Sequence, residues 1–570
     1  MIQPQLMEQT MPQSIPTPWF NSYPTGVPHE ADIDAYRSVV EVFEDATSEF
    51  ASKPAFHNFG KTISYADLDH YSKQLASFLQ NQLNMHKGER LAIMMPNLLQ
   101  NPIAIFAGLR AGLTIVNTNP LYTGEELQHQ LCDAEATTII VLENFAHTLQ
   151  GVIHNTPIKH VIVTRMGDML SFPKSCLINL VVKHVKKMVP AYSLPEHYSF
   201  KHCLQKGDVK HYQRPDIAPD DYAFLQYTGG TTGVAKGAIL THRNIVANLQ
   251  QVSAWIGDYL KKGEERIITA LPLYHIFSLL ANCLLFMKIG GYNHLITNPR
   301  DIKGFVKEIK RVKFTAFTGV NTLFNGLLNN SDFADVDFSA LKLSLGGGMA
   351  VQQSVAERWK QVTGSTLLEA YGLTETSPAV CINPVTLKNY NGKIGLPIPS
   401  TEVCIQDDDW QLLPVGETGE ICIRGPQVTQ GYYNRPDETE QAFDEDGWFH
   451  SGDIGFMDEQ GYFQIVDRKK DMIIVSGFNV YPNEVEAVIA SHEGVIEVGV
   501  IGIPDEVSGE TVMAVIVSNN PQLTYEHIRM HCELSLTRYK IPKRIEFVDE
   551  VPKTNVGKIL RRELRDQFID

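Results

Sequence analysis

The chain has 570 residues, of which 43% are hydrophobic, and a formal net charge of -16. That length exceeds what one hydrophobic core serves, so two or more domains are expected; the acidity argues against a general nucleic-acid binder, because phosphate backbones attract Lys/Arg-rich faces. Eight cysteines with no C-x-x-C pair point away from a zinc ribbon or thioredoxin-like centre and toward reduced thiols, and no basic start followed by an apolar run marks a secretory signal, so a cytoplasmic location is expected.

In chain order, residues 1–18 match no pattern and read as an N-terminal tail. Ser64 with Asp67, and Thr123 with Glu126, have the spacing of capping boxes that open helices. Segments 91–95, 137–142 and 160–163 read as strands. Their alternation with amphipathic stretches predicts α/β layers with mostly parallel sheets. Between 175 and 192, Leu177, Val181, Val185 and Met188 recur at helical spacing, with Lys183, Lys186 and Lys187 on the opposite face. Such a basic amphipathic helix suits the surface of an anionic membrane. The most apolar run, 267–287, contains Pro272, His275, Ser278 and Asn282 and reads as a buried strand-turn-helix, so no transmembrane helix is expected.

After about Ser400 the texture changes to short strands at 403–405, 419–424 and 462–466, separated by Gly and Pro turns. Beyond Lys470 the pattern is strand, helix, strand, strand, helix, strand. The expected architecture is α/β: a large N-terminal domain (19–467) of two α/β subdomains plus a small β-rich subdomain, a charged boundary at 468–471, and a small α+β C-terminal domain (472–570).

Chemistry concentrates in four segments. The run Tyr227-Thr228-Gly229-Gly230-Thr231-Thr232-Gly233-Val234-Ala235-Lys236-Gly237 joins backbone freedom, hydroxyl donors and a cation. It reads as a phosphate cradle. It is not a Walker A loop, which ends Gly-Lys-Ser/Thr. The others are Leu368-Glu369-Ala370-Tyr371-Gly372-Leu373-Thr374-Glu375-Thr376, the stretch 446–470 with Gly452-Asp453 and Asp467-Arg468-Lys469-Lys470, and Pro552-Lys553-Thr554-Asn555-Val556-Gly557-Lys558. In this order and spacing the four resemble the signature motifs of the AMP-forming acyl-adenylating enzymes. Within that superfamily the chain, from about Trp19 to its end, is similar to bacterial long-chain fatty acid–CoA ligases of the FadD type. Ser451 stands where many relatives carry Thr and keeps the hydroxyl.

The resemblance implies a two-step reaction. A fatty acid and ATP give acyl-AMP and pyrophosphate, and CoA then takes the acyl group and releases AMP, feeding fatty acid degradation or lipid metabolism. Attack by a carboxylate on the α-phosphate brings two anions together. At about 4 Å and an effective dielectric of about 20 they repel by ~4 kcal/mol, about a thousandfold in rate. Cations and N–H donors where this charge gathers would offset that barrier, and no nucleophilic side chain is required.

The family's site residues carry over as follows. Thr228, Gly229, Gly230, Thr231, Thr232, Gly233 and Lys236 would hold the β- and γ-phosphates. Glu375 would bind Mg²⁺, for which it is a hard oxygen ligand, and Thr374 would touch the α-phosphate. Gly347, Gly348, Glu369, Ala370, Tyr371 and Gly372 would surround the nucleotide, with Tyr371 against adenine. Asp453 and Arg468 would bind ribose hydroxyls. Lys558 would bridge carboxylate and α-phosphate as the catalytic cation. Lys470 would be the pivot on which the C-terminal domain swings between steps, bringing Ser476 and Gly477 to the pantetheine path. His275 would gate or position at the mouth of the acyl pocket, whose wall is expected from 317–328 and 345–350. The resemblance allows a homodimer and reversible association with an anionic membrane. Alternatives that keep the adenylation are medium-chain or aryl acid–CoA ligases and, further off, a luciferase-like oxygenase.

Overall fold

The structure is a computed structural model describing residues 15–194, 196–228, 235–554 and 557–569. Two parallel-rich sheets form the large body. In the nine-stranded sheet the central strands Tyr292–Leu295, Arg266–Thr269, Ala316–Gly319, Leu343–Gly347 and Leu367–Gly372 lie side by side and pair in parallel. The seven-stranded sheet is built around Thr138–Leu142, Arg90–Met94, Thr114–Thr118 and Tyr222–Thr228, also parallel. These strands are mostly buried along their length, and Arg90–Met94 and Thr138–Leu142 are near-continuous aliphatic runs, as suits parallel strands between helical layers. One apolar cluster joins Leu91, Ile93 and Phe106 to Leu273, Ile276 and Leu396 and so fuses the two sheets.

Local signals in the sequence explain several boundaries. Both expected capping boxes form: the Ser64 hydroxyl accepts from the Asp67 N–H and the Thr123 hydroxyl from the Glu126 N–H, with the acidic side chains accepting in return. Each such cap contributes about 1 kcal/mol. The 267–287 run is a strand, Arg266–Thr269, then a helical stretch from Ile276 to Lys288. Among the described residues no helix is long and apolar enough to cross a membrane.

A four-stranded antiparallel sheet follows, with Glu402–Gln406, Gly419–Arg424, Phe449–Met457 and Phe463–Arg468 in that order. A single turn, Lys469–Asp471, leads to the last module. That module departs from the expected pattern at both ends. It opens with a hairpin, Ile473–Val475 and Phe478–Val480, before the helix Pro482–Ala490, and closes with a helix, Arg561–Phe568. The hairpin strands are too short to show alternation; their signal is the turn, where Ser476 and Gly477 both take positive φ, 52° and 83°, as tight two-residue hairpins require.

The 175–192 segment also differs. An α-helix spans Lys174–Leu180 and widens to a π-helix over Val181–Val185. The wider turn breaks the simple four-residue stripe. Val182 and Ser175 turn inward, while Leu177, Leu180, Val185 and Met188 stay exposed.

Candidate active site

The carboxyl ends of parallel strands are where open α/β sheets bind ligands. Here Gly347 and Gly372 lie on that edge, at one wall of a cleft of about 1900 Å³ whose other walls come from the antiparallel sheet and the C-terminal module. Gly372 is required by packing, since a Cβ there would lie 1.7 Å from the Pro378 carbonyl oxygen.

Polar groups converge at this end. Asp453 and Arg468 are cross-strand partners, and Arg468 Nε lies 3.2 Å from Asp453 Oδ1. The Tyr371 hydroxyl donates to Asp453 Oδ2 at 2.8 Å, so this tyrosine is tied down by its oxygen while its ring lines the cleft. Glu375 is buried and its Oε1 accepts from the Tyr432 hydroxyl at 2.9 Å. Burial raises its pKa, opposed by that hydrogen bond and by Arg468. Thr374 lines the cleft beside it. Lys236 Nζ sits 5.3 Å from the centre of the Tyr432 ring, a cation–π distance. Thr228 and Lys236 pair across two antiparallel strands and both line the cleft. Gly229, Gly230, Thr231, Thr232 and Gly233 lie outside the described residues.

Glu369 accepts from the Val351 N–H at 2.8 Å, and burial pushes its carboxyl up to about 7. Gly347, Gly348 and Ala370 line the same wall, with Gly348 at φ +78°. Lys558 reaches this wall from the C-terminal module: a Cβ at Gly348 would lie 3.6 Å from the Lys558 Cε. Its hairpin is held by Gly557, at φ +88°, where a Cβ would lie 2.4 Å from Thr322 Oγ1. The Thr322 hydroxyl donates to the Gly557 carbonyl at 3.2 Å. Burial and the Arg468 guanidinium lower Lys558 to about 8, with Asp453 and Glu375 pulling the other way. His275 also lines the cleft; its ring accepts from the Phe277 N–H at 3.3 Å, and burial together with Lys558 lowers it to about 3, so the imidazole is neutral at ordinary pH.

Lys470 lines the mouth of the cleft. Ser476 and Gly477 do not join it: they form the exposed tip of the C-terminal hairpin. Of the two expected wall segments, 345–350 does line the cleft, through Leu345, Gly347, Gly348, Met349 and Ala350. The 317–328 segment needs correction: Phe317 is fully buried in a separate cluster with Phe314, Phe324 and Trp359, and the 321–328 helix offers Asn321, Thr322 and Asn325 to the cleft. The apolar branch runs back along the strand from the 345–350 segment. Leu343, Leu345 and Gly347 alternate onto one face of their strand, with Leu368 and Ala370 beside them. Val252, Leu280, Leu285, Phe286 and Ile382 cover that face. From Gly347 to Leu343 the branch follows four strand residues, about 13 Å. Sequence reasoning also missed Tyr432, which orients Glu375; its one local signal was the aromatic pair Tyr432-Tyr433 in a turn.

Comparison with known proteins agrees with this geometry. The model of the AMP-binding enzyme family matches residues 43–433, and that of the AMP-binding enzyme C-terminal domain matches residues 484–558. A long-chain-fatty-acid–CoA ligase of Yersinia pestis is 56% identical over 551 residues, covering 97% of this chain and 98% of that protein. The corresponding ligase of Bacillus subtilis (strain 168) is 38% identical, covering 96% and 98%. Among solved structures, ATP-bound MatB from Rhodopseudomonas palustris superposes with a TM-score of 0.78 at 26% identity, covering 93% of this chain and 99% of that one. A buried carboxylate, an Asp–Arg pair and a lysine from a separate module line one cleft, and the family models match segments on both sides of it: the chain belongs to the AMP-binding enzyme family.

Proposed function

We propose that the protein is a long-chain fatty acid–CoA ligase that forms acyl-AMP and pyrophosphate from a fatty acid and ATP, then acyl-CoA and AMP. The observation that carries this reading is that Lys558, Glu375, Asp453 and Arg468 share a cleft with an apolar branch of buried aliphatic side chains. The branch suits a methylene chain, and its open end at Gly347 faces the polar groups. In the first step a fatty carboxylate oxygen attacks the α-phosphorus and the bond to the β-phosphate breaks. In this reading the Lys558 ammonium would lie between the two anions, Asp453 and Arg468 would hold ribose hydroxyls, and Thr374, which lines the same cleft as Glu375, would take an α-phosphate oxygen.

The residues present fit Mg²⁺ bound with nucleotide. Among the described residues no group of three or more His, Cys, Asp or Glu could form an all-protein metal cage, but Mg²⁺ in such sites takes one or two carboxylates and completes its shell with phosphates and water. Glu375, oriented through one oxygen by Tyr432, would be that ligand. When bound, the ion would neutralise phosphate charge.

For the second step, a thiolate attacks the acyl carbonyl and AMP leaves. We assign the hinge to 468–471, with rotation of the C-terminal domain withdrawing Lys558 and bringing the Ser476-Gly477 turn toward the cleft. That turn has no side chain at Gly477 to obstruct a pantetheine arm. We also propose that the exposed 172–188 segment rests on anionic membrane. Phe172 is 84% and Val185 66% exposed, with Leu177, Leu180 and Met188 also out of the core. Lys174, Lys183, Lys186 and Lys187 lie among them with no Asp or Glu in the segment. A basic, apolar surface on a chain of net charge -16 suits a lipid headgroup boundary. Pyrophosphate release with acids of graded length, CoA present and absent, tests the ligase reading; no release with any fatty acid would overturn it.

A further inference from the structure

We infer that Asp467 and Arg561 are a positioning pair that holds Lys558 in the cleft, and so serve acyl-AMP formation and not thioester formation. The inference rests on the two-step ligase reading. Asp467 ends the large body: it lies in the strand Phe463–Arg468, immediately before the Lys469–Asp471 turn. Arg561 opens the last helix, three residues after Lys558 on the far side of that turn.

The two meet in a buried network. Arg561 Nη1 lies 3.1 Å from Asp467 Oδ1 and 3.3 Å from Asp471 Oδ2. Its Nε and Nη2 reach the two oxygens of Glu486 at 3.1 and 2.9 Å, and Nη2 also donates to Asn483 Oδ1 at 2.5 Å. The Asn483 N–H donates to Asp467 Oδ2 at 2.6 Å. Glu486 and Asn483 belong to the C-terminal module, so Arg561 keeps them wherever that module goes. Asp467 is different. It is fully buried at the side chain, and the only cation that an ion pair gives it among the described residues sits across the turn.

The physical consequence is directional. A buried carboxylate that loses its arginine is left with an uncompensated charge, at a cost much larger than the value of the pair itself. Few other polar contacts tie the Lys558 hairpin and its module to the large body: Thr322 to the Gly557 carbonyl, at 3.2 Å, and Asn325 to the Ile496 carbonyl, at 3.1 Å. Both are neutral hydrogen bonds, each contributing about 1 kcal/mol. The Asp467–Arg561 contact is thus the strongly biased one. Any rotation about 469–471 separates it, and Lys558, on the same short segment as Arg561, leaves with it.

Asp467→Asn tests this. The amide oxygen still accepts from the Asn483 N–H while the charge is gone. Acyl-AMP formation, read by pyrophosphate exchange into ATP, should fall about tenfold, the scale of one hydrogen bond to a charged group. Conversion of supplied palmitoyl-adenylate and CoA to palmitoyl-CoA, on the same preparation, should hold or rise. The ratio of the two rates cancels any loss of folded protein. Arg561→Lys, which retains a cation beside Asp467, should preserve more of the first rate than Arg561→Gln. Equal falls in both half-reactions, no fall in the first, or equal losses for the two Arg561 variants would overturn the assignment. A wild-type protein that ran neither half-reaction would instead overturn the ligase reading beneath it.

Discussion

On the proposed reading, Lys558 and Glu375 would divide the electrostatic work at the reacting phosphate. Lys558 comes from a hairpin on the small module and is the mobile charge; Glu375 is fixed on the large body by Tyr432. Lys558→Ala should therefore reduce acyl-AMP formation by about 10²–10³-fold, the usual loss for one charge-stabilising group, while thioester formation from supplied acyl-adenylate is spared. The free enzyme adds a pH signature. Lys558 faces Arg468 and Lys470, which lower its pKa, and Asp453 and Glu375, which raise it, with burial dominating; the neighbouring His275 stays neutral. Because the cation is the working form, kcat/KM for ATP should fall as pH rises through about 8, and Lys558→Arg should move that limb to higher pH. A limb unmoved by the arginine would assign it to another group. That Glu375 and Lys558 belong to one cleft was legible in the sequence because each sits in a contiguous motif. Tyr432 was not, because it meets Glu375 from 57 positions away and no local pattern carries that contact. Ser476-Gly477 was legible as a turn but not as part of an exposed hairpin.

At the scale of elements, alternation along a strand sets the apolar branch that would take the acyl chain. Leu343, Leu345 and Gly347 share one face, so side-chain size decreases toward the nucleotide end. Leu343→Trp should shorten the branch and cut activity on long acids about tenfold or more relative to short ones, within the range for pocket discrimination by methylene groups. The check is kcat/KM across acids of graded length; an unchanged profile would place the chain elsewhere. Sequence reading found only the Leu345 and Gly347 part of this branch, because its other walls come from a helix near Val252, another near Phe286 and a second strand, and only closure of the sheet brings them together. The capping boxes and buried strands were read correctly because their causes are local: a side-chain oxygen three residues from its partner N–H, or an unbroken aliphatic run. The 172–188 surface also acts as a unit. Each lysine near an anionic bilayer contributes about 1 kcal/mol, so Lys186→Glu with Lys187→Glu should weaken binding to phosphatidylserine vesicles at least thirtyfold in flotation assays, with turnover of a soluble short-chain acid unchanged. Equal binding by wild type and variant would remove this face from the membrane.

Across the whole molecule the chain carries a net charge of -16, and its cleft mixes Lys236, Arg468, Lys470 and Lys558 with Glu369, Glu375, Asp453 and Asp467. On the proposed reading it is the placing of these cations, and not a net positive field, that would receive a polyanionic nucleotide. On that reading, splitting the groups between two bodies would let a single site serve two reactions: the large body would keep the Asp453–Arg468 pair and Glu375, and the small one would withdraw Lys558 once the adenylate had formed. Palmitate, ATP and magnesium supplied to the purified protein without CoA test the account most directly. The nucleotide product should be enzyme-bound palmitoyl-AMP with stoichiometric pyrophosphate, discharged to AMP when CoA is added; ADP and orthophosphate in their place would contradict attack at the α-phosphorus.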